Sequence, residues 1–128
     1  MCAKILFLDD EEIIRDMLTQ LLDRAGHRII AVPTGEEAVE EYKKHFETGE
    51  KFDMVLLDLS VPLGKGGKEI MPELLDIDPD IIAIIASGSD TNPAVKEYKK
   101  YGFAGVLMKP FSRAAVLLAI EQYAPHAV

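Results

Sequence analysis

The sequence predicts an α/β protein of (βα)5 type: five strands in one doubly wound parallel sheet, with helices on both faces. Three observations predict it. Short apolar runs alternate five times with longer amphipathic stretches. Three of the runs are apolar at consecutive residues, as strands must be when helices cover both their faces. Capping and turn residues punctuate the changes of pattern.

The apolar runs are Ile5–Leu8, Arg28–Val32, Met54–Leu57, Ile81–Ala86 and Gly105–Met108. The second is polar at its start and suits an edge strand. In the first helix, Ile13, Ile14, Met17, Leu18, Leu21 and Leu22 recur at three-and-four spacing, with Arg15, Asp16 and Gln20 outside the stripe. Glu11 and Glu12 favour its positive end, and Gly26 suits a left-handed stop. Thr34-Gly-Glu-Glu37 reads as a capping box opening the second helix, whose stripe is Ala38, Val39, Tyr42 and Phe46 and whose end is Gly49. The third helix carries Ile70, Met71, Leu74 and Leu75 and ends before Pro79. Asn92 and Pro93 read as a cap and first helical residue, and Tyr98 and Tyr101 pack on or line that fourth helix. Ser112 caps the fifth, which buries Val116, Ile120 and Tyr123 and stops before Pro125. Right-handed crossovers leave few topologies open.

A chain of 128 residues fits one domain, assigned to residues 1–128. Its 48% hydrophobic and 28% charged residues argue against disorder. The net charge of −8 disfavours direct binding to nucleic acid or to anionic membranes. Cys2 stands alone, so no internal disulfide forms, and a reducing, cytoplasmic setting is expected. No apolar run approaches the roughly 18–20 residues of a membrane helix. His27, His45 and His126 read as ordinary surface residues.

Ligands of open α/β sheets bind outside the carboxyl ends of the strands, so the polar residues ending each run matter most. Strand one ends in Asp9-Asp10, strand three in Asp58, strand four in Ser87 and strand five in Lys109. Three carboxylates at one edge repel unless a cation neutralises them, and hard oxygen ligands suit Mg²⁺. No Cys or His cluster offers the ligands that zinc prefers. A Lys and a hydroxyl beside the metal complete an anion site, and one carboxylate remains to act as a nucleophile. Gly88 leaves the approach open. The chemistry so implied is Mg²⁺-assisted phosphoryl transfer to an aspartate.

The blocks Phe7-Leu-Asp-Asp-Glu11, Val55-Leu-Leu-Asp-Leu59, Ala86-Ser-Gly88 and Lys109-Pro-Phe111 resemble the four signature blocks of response-regulator receiver domains, in order and spacing, over nearly the whole chain. The resemblance implies the flavodoxin-like strand order 2-1-3-4-5, for which a receiver protein is itself a standard example. It implies that Asp58 accepts the phosphoryl group and that Asp10 binds Mg²⁺ directly and Asp9 mainly through water. The Ser60 backbone carbonyl would be a further ligand. Ser87 and Lys109 would hold the phosphoryl oxygens, and the Lys109–Pro110 peptide would be cis. The donor would be a sensor histidine kinase or a histidine phosphotransfer protein, and the output altered protein interactions in a phosphorelay. More narrowly, the segments Leu59–Glu69 and Tyr101–Phe111 resemble the C-terminal receivers of hybrid sensor histidine kinases, either within a larger protein or as a free-standing homologue.

One position departs from the pattern. Three residues before the lysine, where many receivers carry Tyr or Phe, stands Val106, with Phe103 nearby as a candidate substitute. A smaller phosphorylation-linked change on the face of the fourth helix, fifth strand and fifth helix is expected. Two other classes are weighed. A Mg²⁺-dependent phosphohydrolase would carry a second acid two residues after Asp58, where Ser60 stands, and a cap segment. A phosphorylation-independent interaction domain would normally have lost one of the acidic or lysine positions, and all are present.

Overall fold

The computed structural model describes residues 2–59, 65–88 and 92–124. Five strands, β1 (Lys4–Leu8), β2 (Arg28–Val32), β3 (Met54–Asp58), β4 (Ala83–Ser87) and β5 (Gly105–Met108), form one sheet in the order β2-β1-β3-β4-β5. All four neighbouring pairs are parallel. The helices are α1 (Glu12–Arg24), α2 (Gly35–Glu47), α3 (Gly67–Ile77), α4 (Pro93–Lys96) and α5 (Arg113–Tyr123), with a 3₁₀ turn at Tyr98–Tyr101.

The consecutive apolar residues of β1 and β3 serve two cores. Leu6, Leu8, Val55 and Leu57 pack with Ala38 and Tyr42 of α2, Ile70, Met71 and Leu74 of α3, and Ala94 and Val95 of α4. Ile5, Phe7, Met54 and Leu56 face the other way, against Leu18 and Leu22 of α1 and Val116 and Ile120 of α5. The strand period of two sends alternate side chains to opposite layers. Strand β2 is the edge beside β1 and has a single buried residue, Val32.

Caps form where the sequence signals them. Thr34 Oγ1 accepts from the Glu37 N–H, Asn92 Oδ1 from the Ala94 N–H and Ser112 Oγ from the Ala115 N–H. The box at α2 is half made, because the Glu37 carboxylate takes the Thr34 hydroxyl. Gly26 and Gly49 stop α1 and α2 with positive φ.

Several expectations are corrected. Ile13 and Met17 lie outside the core, at 83% and 42% exposure, because α1 meets the sheet through a narrower stripe centred on Leu18 and Leu22. Phe103, the candidate substitute, is 2% exposed, inside the core against which Val106 packs. Helix α4 has one turn, so Tyr98 and Tyr101 sit on the 3₁₀ turn, half-buried against the α2–α4 core. His27 and His45 are half-buried structural groups. The His27 Nδ1 accepts from the Ala3 N–H at 3.0 Å, and His45 lies between Lys4 and Glu41. His126 and the Pro125 stop lie outside the described residues.

Candidate functional site

Parallel pairing brings the carboxyl ends of β1, β3, β4 and β5 to one edge of the sheet, each followed or closed by a polar residue. Asp9 prolongs β1 by one bond, its N–H donating to the Val32 carbonyl at 3.1 Å. It is fully buried, yet three donors meet it. Its Oδ1 accepts from the Glu11 N–H at 2.9 Å, its Oδ2 from Lys109 Nζ at 2.8 Å, and its carbonyl from Arg15 Nη1 at 2.8 Å. Burying such polar groups is costly without partners of this kind. Asp10 follows, exposed at the rim.

Asp58 closes β3, the central strand, and is buried. The next N–H, of Leu59, donates to the Ala86 carbonyl at 3.1 Å and fixes this strand end against β4. Asp58 Oδ2 lies 3.4 Å from Lys109 Nζ. Ser87 closes β4 and is buried as well, its carbonyl accepting from the Lys109 N–H at 2.8 Å. The Lys109–Pro110 peptide is cis. Ser60, the expected carbonyl ligand, lies outside the described residues.

One oxygen from each of Asp9, Asp10 and Asp58 falls within 4.8 Å of the others. Three carboxylate oxygens so close together could be shared by one small cation. The charges fit too. Three carboxylates against the Lys109 ammonium and the nearby Arg15 guanidinium leave net negative charge, which a divalent cation offsets. The donors are all hard carboxylate oxygens, which suit Mg²⁺, with no Cys or His in the cluster. Burial works against the Lys109 ammonium, but its bond to Asp9 and the charges of Asp58 and Asp9 outweigh that and hold its pKa above the ordinary value.

The sequence-predicted residues Asp9, Asp10, Asp58, Ser87 and Lys109 thus share one sheet edge. Sequence reasoning passed over Arg15, which touches the back of the same turn. The available signal was a cation outside the apolar stripe, near the start of the helix that follows the acidic pair.

The model of the response regulator receiver domain matches residues 5–121. A chemotaxis protein CheY of Thermotoga maritima is 31% identical over 123 residues, covering 95% of this chain and 98% of the relative. The sporulation initiation phosphotransferase F of Bacillus subtilis is 30% identical over 125 residues, covering 98% and 96%. Among solved structures, a chain of the CheX–CheY–beryllofluoride–Mg²⁺ complex from Borrelia burgdorferi superimposes with a TM-score of 0.83 at 29% identity, covering 94% of this chain and 87% of that one. Fold, site order and sequence agree: this chain belongs to the response regulator receiver domains, the CheY-like phosphoacceptor modules of two-component signalling.

Proposed function

We propose that the domain accepts a phosphoryl group on Asp58 from a phosphohistidine, with Mg²⁺ held by Asp9, Asp10, Asp58 and the Ser60 backbone carbonyl. The observation that carries this reading is the convergence of three carboxylates within 4.8 Å beside Lys109. Both oxygens of Asp9 are engaged, which suits a fixed support, whereas Asp58 sits centrally between the strands that bring the other groups. An Asp58 oxygen attacks phosphorus, the phosphorus–nitrogen bond breaks, and the imidazole leaves with the electron pair. Lys109 turns to one phosphoryl oxygen and the Ser87 hydroxyl donates to another. Bound Mg²⁺ supplies further neutralisation of the phosphoryl charge. Water later cleaves the acyl phosphate at the same site, so the domain assists its own phosphorylation and dephosphorylation as a signalling device.

Receivers meet histidine kinases or histidine phosphotransfer proteins, and the surface beside Lys109 supports such a partner here. Ile14, Met17, Lys109, Pro110 and Phe111 line an apolar groove of about 330 Å³, with Ile13 exposed nearby on α1. Exposed apolar surface of this kind marks an interaction site. Ile13→Asp is expected to slow transfer from the phosphotransfer partner while leaving phosphorylation by acetyl phosphate unchanged, measured as initial rates with each donor. The segments Leu59–Glu69 and Tyr101–Phe111 favour a receiver of the hybrid-kinase type, acting alone or in a larger protein, over residues 1–128. A single cysteine and such a donor suit the cytoplasm.

Intact mass after incubation with Mg²⁺ and acetyl phosphate tests the assignment. One added phosphoryl group that requires Mg²⁺ and is absent from Asp58→Asn is expected. Absence of both adduct and steady phosphate release would make a phosphorylation-independent interaction domain the better reading.

A further inference from the structure

We infer that Arg15 is a positioning residue for the metal site: its guanidinium holds the Asp9 carbonyl and so fixes the turn that presents Asp10. This rests on the reading of the acidic cluster as a Mg²⁺ site. Asp9 is buried one residue beyond β1, and its N–H is spent on the Val32 carbonyl of β2. A buried carbonyl at such a place needs a donor, and Arg15 Nη1 provides it at 2.8 Å. The Arg15 N–H in turn donates to the Glu11 carbonyl at 3.0 Å, and the Glu11 N–H donates to Asp9 Oδ1 at 2.9 Å. Asp10 therefore lies between two residues that are both tied to α1 through Arg15. That helix is itself seated on the sheet by Leu18 and Leu22. The exposed Asp10 carboxylate has no burial of its own to place it, so its backbone must.

Charge and position make opposite demands on Arg15. Its positive charge stands close to a cation site, and by Coulomb's law alone its removal would tighten Mg²⁺ binding. If Arg15 acts by holding the turn, its removal loosens binding instead, as loss of a supporting partner does at metal sites.

Mg²⁺ titrations followed by backbone amide NMR at fixed ionic strength separate the two, for the wild type, Arg15→Met and Arg15→Gln. Neither variant reaches the carbonyl with a guanidinium, and Gln keeps a polar group where Met fails to melt cooperatively. Each Kd is read below that variant's own melting onset, so lost stability does not enter. We expect a Kd about tenfold higher in the variants, with metal-free amide shifts concentrated at residues 9–11. Variants that bind Mg²⁺ as tightly as the wild type, or more tightly, would overturn the inference and leave the metal site standing. A wild type that fails to bind Mg²⁺ would overturn the metal site itself, whatever Arg15 does.

Discussion

Lys109 joins residues that lie far apart in the chain, and its contacts explain how three carboxylates coexist before any metal binds. Its ammonium spans Asp9 at 2.8 Å and Asp58 at 3.4 Å, occupying charge that a divalent cation would otherwise answer. Lys109→Met should therefore bind Mg²⁺ several-fold more tightly, by Coulomb relief of the order of 1 kcal/mol, while phosphorylation by acetyl phosphate slows about a hundredfold. Amide titration and adduct kinetics check the two halves; equal losses in both would contradict the assigned role. The raised pKa of Lys109 has a stability sign. Its contribution is complete below the ordinary value of 10.5 and is lost as pH rises through the higher folded value. His27 works at the other end of the scale. Burial lowers its pKa, and the neutral ring accepts from the Ala3 N–H. Its contribution is present above the ordinary 6.5 and is lost as pH falls through the lower folded value. Urea midpoints measured from pH 7.5 to 5 should fall in the wild type and fall less in His27→Gln.

Among elements, the contact of α2 with the α3–β4 connection rests on a buried polar clasp. Tyr42 of α2 donates its hydroxyl to Asp78 Oδ2 at 2.7 Å, and Lys51 approaches the same oxygen at 2.8 Å. The Asp80 N–H donates to Asp78 Oδ1 at 3.0 Å. Burial pushes the Tyr42 hydroxyl far up in pKa, reinforced by Asp78. Burial also opposes ionisation of Asp78, but the bonds from Lys51, Tyr42 and the Asp80 N–H outweigh it and lower its pKa. The Asp78 contribution is thus present above its ordinary 3.8 and lost as pH falls through the lower folded value. Tyr42→Phe should cost about 1.5–3 kcal/mol, the range for a hydrogen bond to a charged group, read from urea unfolding at neutral pH. Where α2 begins, Gly35 abuts the segment entering α3. A Cβ there would strike the Lys65 carbonyl and stand 2.8 Å from Ile70 Cγ2. Gly35→Ala is expected to destabilise by about 1–3 kcal/mol through overpacking, with a lowered melting temperature as the check.

For the whole molecule, phosphorylation adds about −1.5 to −2 charge to a protein already at −8, at one edge of the sheet. Under the proposed chemistry that charge is held by groups at β4 and β5, which end at Ser87 and just before Lys109. On β5 the position of the usual aromatic is Val106, half-buried against the same core as Tyr98 and Tyr101, and Phe103 is fixed inside that core. No described residue of β5 is an aromatic free to swing inward. Amide shifts on forming the beryllofluoride adduct should concentrate at residues 58, 87 and 109 and stay small along Gly105–Met108; large shifts through α4 and β5 would contradict this.

The sequence by itself determined the five βα units and the polar residues at the strand ends that make up the candidate site. Continuous apolar runs state that both faces are covered, and the polar residue that ends each run is a local signal. Asp9, Asp58, Ser87 and Lys109 were legible for that reason. Tertiary structure alone decided which groups meet across the chain. The Lys109–Asp9 bond spans 100 residues, and Tyr42 finds Asp78 across 36. Periodicity marks a face but not its width, so Ile13 and Met17 read as core and proved exposed. A lone arginine or histidine carries no periodic signal at all. Arg15, His27 and His45 took their roles from carbonyls, amides and charges that only chain folding brought within reach.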